Sequence, residues 1–203
     1  MSDPTYTRVA ADDFAVAQFP RGATRLWVEL MRDQDGSPIE APMVVVRGAA
    51  PGPLLFTVAG VHGNEYEGME TVRRVIDELE PEEMQGDFAA IVTANPFAYA
   101  ARTRESPPSA DGLNLARVFP GNPAGSPTER LAAALLELIE RQVGPDDLLL
   151  DLHSGTAEVA FATMVGYRTG RGPARDRSEE AARHMELPLL WEIPDSPGPL
   201  NAE

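Results

Sequence analysis

The stretch "LLFTVAGVHGNEYEG", Leu54 to Gly68, constrains the fold more than any other part of the chain. Its first half is a short apolar, β-rich run ending at Gly60, the pattern of a strand buried on both faces. From Glu65 the period changes. Met69, Val72, Ile76 and Leu79 form an apolar helical stripe that must stop before Pro81. A doubly buried strand feeding straight into an amphipathic helix belongs to a sheet covered by helices on both sides.

The rest of the chain follows the same alternation. "TRLWVELM" (Thr24 to Met31) alternates as a strand and runs into the turn "DQDGSP". "MVVVRG" is a further buried strand, joined to Leu54 by the turn-like "AAPGP", and "FAAIVTA" (Phe88 to Ala94) is another. "SPTE" announces a helix, with Ser126 as cap, Pro127 at the first position and Glu129 closing a capping box. Leu131, Leu135, Leu138 and Ile139 give that helix one apolar face. "DDLLLDLHSG" and "AFATMVGY" read as strands, "RDRSEEAARHMEL" as a helix begun by Asp176 or Ser178, and "PLLWEIP" as a last strand. The fold class expected is α/β, a three-layer αβα sandwich on a mixed, largely parallel sheet. Between Asn95 and Gly125 the sequence is rich in Pro, Gly and Asn and shows almost no periodicity, which in a compact domain marks a functional or disordered connection.

Composition removes several function classes. The chain of 203 residues carries 32 acidic and 17 basic side chains, a formal charge of -15 that repels phosphate backbones. No apolar run approaches the ~18–20 residues that span a bilayer. Zero cysteines exclude disulfides and thiolate metal sites and fit a reducing cytoplasm, where the chain is expected. Neither nucleic acid nor membrane is an expected partner; self-association is left open.

In open α/β sheets, ligands collect outside the carboxyl ends of the strands. His62 lies just past one strand and His153 at the end of another. Glu65, three residues after His62, shares its side once the helix begins, and Gly60 and Gly63 let the backbone turn there. Two imidazoles and a carboxylate are a ligand set for catalytic zinc. Asp151, two residues before His153 on the same strand face, is placed to orient an imidazole, that of His153 or of His62. His184, among Ala182, Arg183 and Met185 on a predicted helix, reads as a surface residue.

Four motifs in order, "GVHGNEYEG", "NPFAYAARTR", "DGLNLARVFPG" and "DLHSG", resemble the succinylglutamate desuccinylase/aspartoacylase family of zinc carboxypeptidase-like deacylases. The resemblance spans roughly Met43 to Tyr167. It implies one zinc ion per chain on His62, Glu65 and His153, with hydrolysis of a small N-acyl amino acid. Counting from Asn95, it puts oxyanion stabilisation on Arg104 and leaves Arg102 as a surface charge. Arg117 would grip a substrate carboxylate, and the irregular segment becomes the rim that brings both arginines to the metal. Where the family has Asn before this arginine the chain has Ala116, so Asn114 is the candidate to supply that contact.

The family's general base is a Glu on a strand beyond "LPLLWEIP", before a small β-rich domain. Neither Glu192 nor Glu203 matches it, and "GPLNAE" reads as the start of the preceding helix. Residues 1–203 are therefore expected to form the N-terminal portion of one zinc-hydrolase catalytic domain. A metallocarboxypeptidase acting on peptides and a non-catalytic zinc-binding module stay open as alternatives. A serine hydrolase is poorly supported, because no G-x-S-x-G elbow is present and Ser154 follows His153 directly.

Overall fold

The computed structural model describes residues 6–156, 158–170, 172–194 and 199–200. Its centre is a six-stranded sheet whose spatial order is β1 (Thr7–Ala10), β2 (Gly22–Arg32), β3 (Pro38–Arg47), β5 (Gln85–Ile91), β4 (Ala50–Ala59) and β6 (Leu148–Leu152). β3 pairs antiparallel with both β2 and β5, while β1–β2, β4–β5 and β4–β6 are parallel. The sheet is mixed because β2 and β3 form a hairpin and the strands that follow are joined by helical crossovers.

Side-chain alternation along the central strands separates two cores. Met43 and Val45 of β3, Phe56 and Val58 of β4, and Ala89 and Ile91 of β5 face α3 (Pro127–Glu140), which contributes Leu131, Leu135, Leu138 and Ile139. Val44, Val46, Ala59, Phe88 and Ala90 face the other way, onto Met69, Val72, Val75 and Ile76 of α1 (Tyr66–Glu78). A strand with both faces covered has no room for polar alternation, which is why these runs read as continuous hydrophobics. Each fully buried Val, Leu, Ile or Phe contributes about 1.5–3 kcal/mol. These two cores therefore fix which way β4 and β6 point, and with them His62 and His153.

Three expectations are revised. The segment from Asn95 to Gly125 is not without structure: it contains α2 (Pro96–Ala101) and a 3-10 turn at Leu115–Arg117. α2 forms because Asn95 Oδ1 accepts from the Ala98 N–H at 3.0 Å and Pro96 fills the first turn. The last helix, α4 (Pro173–His184), begins before Asp176, because Gly172 at φ 110° turns the chain and Pro173 starts the helix. The strands β7 (Met164–Arg168) and β8 (Leu189–Ile193) do not join the main sheet. They pair parallel with each other and, with α4, surround a small core of Val165, Tyr167 and Ala182.

Of "GPLNAE", only Pro199 and Leu200 are described, and Leu200 is buried in the first core; the rest, including Glu203, lies outside the described residues. No helix among the described residues is long and apolar enough to cross a membrane.

Candidate metal centre

Beyond Ala59 the chain turns through Gly60, whose φ of 68° suits glycine, and a Cβ there would meet Thr93 Cα at 2.9 Å. Gly63 is packed so closely on α2 that a Cβ would overlap the Ala98 carbonyl and the Tyr99 amide nitrogen. Between these two glycines His62 is driven inward and buried. Glu65 occupies the N-cap position of α1 yet makes no side-chain cap, because its buried carboxylate faces His62 and not the helix amides. His153 enters from the end of β6, which lies parallel to β4.

The three side chains converge, with one ligand atom from each within 4.8 Å of the others. His62 Nδ1 lies 2.9 Å from Glu65 Oε1, His153 Nδ1 lies 2.9 Å from Oε2, and the two Nδ1 atoms are 3.1 Å apart. The outer nitrogens fix the tautomers. Asn114 Oδ1 accepts from the Ala116 N–H at 3.0 Å, which orients its amide and makes His62 Nε2, at 3.1 Å, the donor. His153 Nε2 likewise donates to Asp151 Oδ2 at 3.1 Å. With both protons outside, two imidazole lone pairs and a carboxylate face one point and require a cation between them.

The same groups favour a proton on His153. Burial works against the His153 imidazolium, but hydrogen bonds to Asp151 and Glu65 outweigh it and push its pKa up to about 10. Burial would raise the Glu65 carboxyl, yet His153, His62 and the Ser154 N–H hold it well below the usual range. The donor set, two nitrogens and one carboxylate with both tautomers set from outside, fits zinc.

Of the predicted residues around this triad, Arg104 approaches it: Nη1 lies 2.5 Å from Glu65 Oε1. Asp151 sits on His153. Asn114, expected at the substrate, sits on His62. Arg117 is not drawn to the triad; it is exposed, and its Nη1 donates to the Ala116 carbonyl at 2.8 Å. Arg102 is exposed at the end of α2, and His184 is exposed with Nδ1 2.8 Å from the Glu180 carbonyl.

A buried polar relay holds the rim in place and was not evident in the sequence. Asn95 Nδ2 donates to Ser106 Oγ (3.2 Å), which lies 2.7 Å from Thr128 Oγ1. Thr128 in turn donates its hydroxyl (2.6 Å) and its N–H (2.7 Å) to Asp111. Arg104 lies two residues before Ser106, and Asn114 three residues after Asp111. The Asp111-Gly112 pair signals a turn, but nothing local links Asp111 to a helix start that lies 17 residues on.

Residues 51–199 match the model of the succinylglutamate desuccinylase/aspartoacylase catalytic domain. The chain belongs to this family. A curated relative, the N-alpha-acetyl-L-2,4-diaminobutyric acid deacetylase of Halomonas elongata, is 36% identical over 146 residues, covering 72% of this chain and 41% of that protein. The family member from Rhodobacter sphaeroides superposes with a TM-score of 0.72 at 28% identity, over 84% of this chain and 52% of that one. The product-bound ectoine utilization protein EutE (DoeB) from Ruegeria pomeroyi gives 0.73 at 25% identity, over 89% and 55%. The chain thus spans less than half of the deacetylase and about half of these structures.

Proposed function

We propose that the chain acts in a zinc-dependent deacylase that hydrolyses the amide of a small N-acyl amino acid to a carboxylate and a free amine. The observation that carries this is the placement of His62 Nε2 on Asn114 Oδ1 and of His153 Nε2 on Asp151 Oδ2, which turns both Nδ1 atoms and the Glu65 carboxylate toward one point. His62, Glu65 and His153 would hold the ion, which when bound supplies Lewis acidity and activates water near neutral pH.

The chain's own side chains set the rest. Asp151 and Asn114 keep the two imidazoles in their ligating tautomers. Arg104, half-exposed beside Glu65, presents a fixed positive fork to the oxygen that gains charge as the acyl carbonyl is attacked. Arg117, turned from the Ala116 carbonyl, would hold the substrate carboxylate. Proton transfer is the one role these side chains leave unassigned. The family relationship favours N-acetyl-2,4-diaminobutyric acid and related N-acyl amino acids as substrates, in a cytoplasmic setting that the lack of cysteine fits.

The test is amine release from N-acetyl-2,4-diaminobutyric acid and N-succinylglutamate, with zinc bound and after chelation. Release that disappears on chelation, returns with zinc and is lost in His153→Ala supports the reading. Release indifferent to the metal overturns it.

A further inference from the structure

We infer that Ser154 and Glu67 form a clasp that fixes the Glu65 carboxylate for the metal, a positioning role that rests on the zinc reading above. The β6 ladder ends at Leu152, paired with Ala59, so His153 and Ser154 project beyond the sheet and no strand partner holds them. The chain then turns through Thr156 at φ 66° and continues along an exposed stretch from Glu158 to Thr163. What anchors this turn at Ser154 is a side chain. Ser154 Oγ donates to Glu67 Oε2 at 2.6 Å, and Glu67 stands in the first turn of α1, two residues from Glu65. The Ser154 N–H donates to Glu65 Oε2 at 3.0 Å.

The ring is closed: Glu65 and Glu67 are tied by the helix, Glu67 to Ser154 by the hydroxyl, and Ser154 to Glu65 by the amide. Its effect follows from how the carboxylate is shared. The inward histidine contacts apart, each oxygen keeps one outer donor, Arg104 on Oε1 and the Ser154 N–H on Oε2. Two fixed donors on opposite oxygens set the plane of the carboxylate. Releasing Ser154 frees one side, so Glu65 can rotate and the three ligand atoms lose their common focus. Partners that orient a metal ligand in this way are worth about 10–100-fold in metal affinity.

The experiment measures zinc affinity of the 203-residue chain by chelator competition, for wild type, Ser154→Ala, Glu67→Ala, the double variant and Ser154→Thr. Each single alanine variant should raise the zinc Kd about tenfold or more. The double should lose no more than either single, because one clasp has two ends. Ser154→Thr, which keeps the hydroxyl, should bind close to wild type. The visible spectrum of the cobalt-loaded protein should shift in the alanine variants, while urea midpoints of the metal-free proteins stay together. Wild-type affinity in the folded alanine variants, or additive losses, overturns the clasp and leaves the zinc site standing. A folded wild-type chain that takes up no zinc overturns both.

Discussion

Removing the Asp111 carboxylate should loosen the rim of the site at a cost that can be worked from the structure. Asp111 accepts from the Thr128 hydroxyl, the Thr128 N–H and the Leu113 N–H at 2.6, 2.7 and 3.0 Å. Thr128 has no exposed surface, so in Asp111→Ala its N–H faces no acceptor, at about 1–3 kcal/mol, while its hydroxyl keeps Ser106 Oγ and loses one bond worth about 1 kcal/mol. Leu113 is half-buried and water can replace part of its bond. A net loss of about 3 kcal/mol is expected, against a total stability on the order of 5–15 kcal/mol. With a urea slope of about 2 kcal/mol/M, the midpoint should fall by roughly 1.5 M.

Asp111→Asn keeps the shape but removes the charge and one of the two acceptor oxygens, so it should lose less than alanine, about 1–2 kcal/mol. Burial alone would raise the Asp111 pKa; the Thr128 and Leu113 hydrogen bonds outweigh this and hold it below the usual carboxylate range. A carboxylate depressed on folding contributes its full stability above the unfolded value of about 3.9 and loses it as pH falls through the folded value. The difference between wild type and Asp111→Asn should therefore be complete at pH 7 and narrow below about pH 4. Urea unfolding followed by circular dichroism at both ends of that range measures it. Equal midpoints at pH 7, or a gap that does not change with pH, would refute the reasoning.

Other expectations concern the site itself. Asn114→Ala removes the acceptor that fixes the His62 tautomer, and zinc affinity measured by chelator competition should fall about 10-fold or more. Arg104→Lys replaces a planar fork with a point charge, and kcat for amide hydrolysis should fall on the order of 10²–10³ with a smaller change in KM. Gly63→Ala forces a methyl into the α2 backbone; thermal denaturation should show a severely destabilised chain or none that folds. Leu135→Ala opens the core between α3 and the sheet and should cost about 2–5 kcal/mol in urea unfolding, with zinc affinity preserved.

The central strands were legible because burial on both faces leaves only apolar residues, and α1 because its stripe switches to helical spacing at Glu65. α2 was hidden by its length: six residues give too short a stripe to register, although Asn95-Pro96 is a capping signature in itself. The separation of β7 and β8 from the main sheet could not be read, since strand pairing is a long-range choice that a run such as "AFATMVGY" does not encode. At the site, His62, Glu65 and His153 stood out because chemistry-bearing residues at strand ends are few. Asp111, Ser106 and Thr128 did not, because a relay spread over 95–128 leaves no local pattern. Asn114 was expected at the substrate from motif position alone; its place on His62 depends on the 3-10 turn that directs its amide inward.

The small core around β7, β8 and α4 bears on how the protein melts. Among the described residues it buries three, with Leu187 half-buried against them, while Leu189, Leu190 and Trp191 on β8 stay exposed. That is little apolar area to offset the ordering of about 1–2 kcal/mol per backbone residue. This unit should open at lower denaturant than the six-stranded sheet. The chain has two tryptophans, Trp27 on the large sheet and Trp191 on the small one. Each is thus a built-in optical reporter of one cooperative unit, and a fluorescence transition carried by Trp191 should precede the one carried by Trp27.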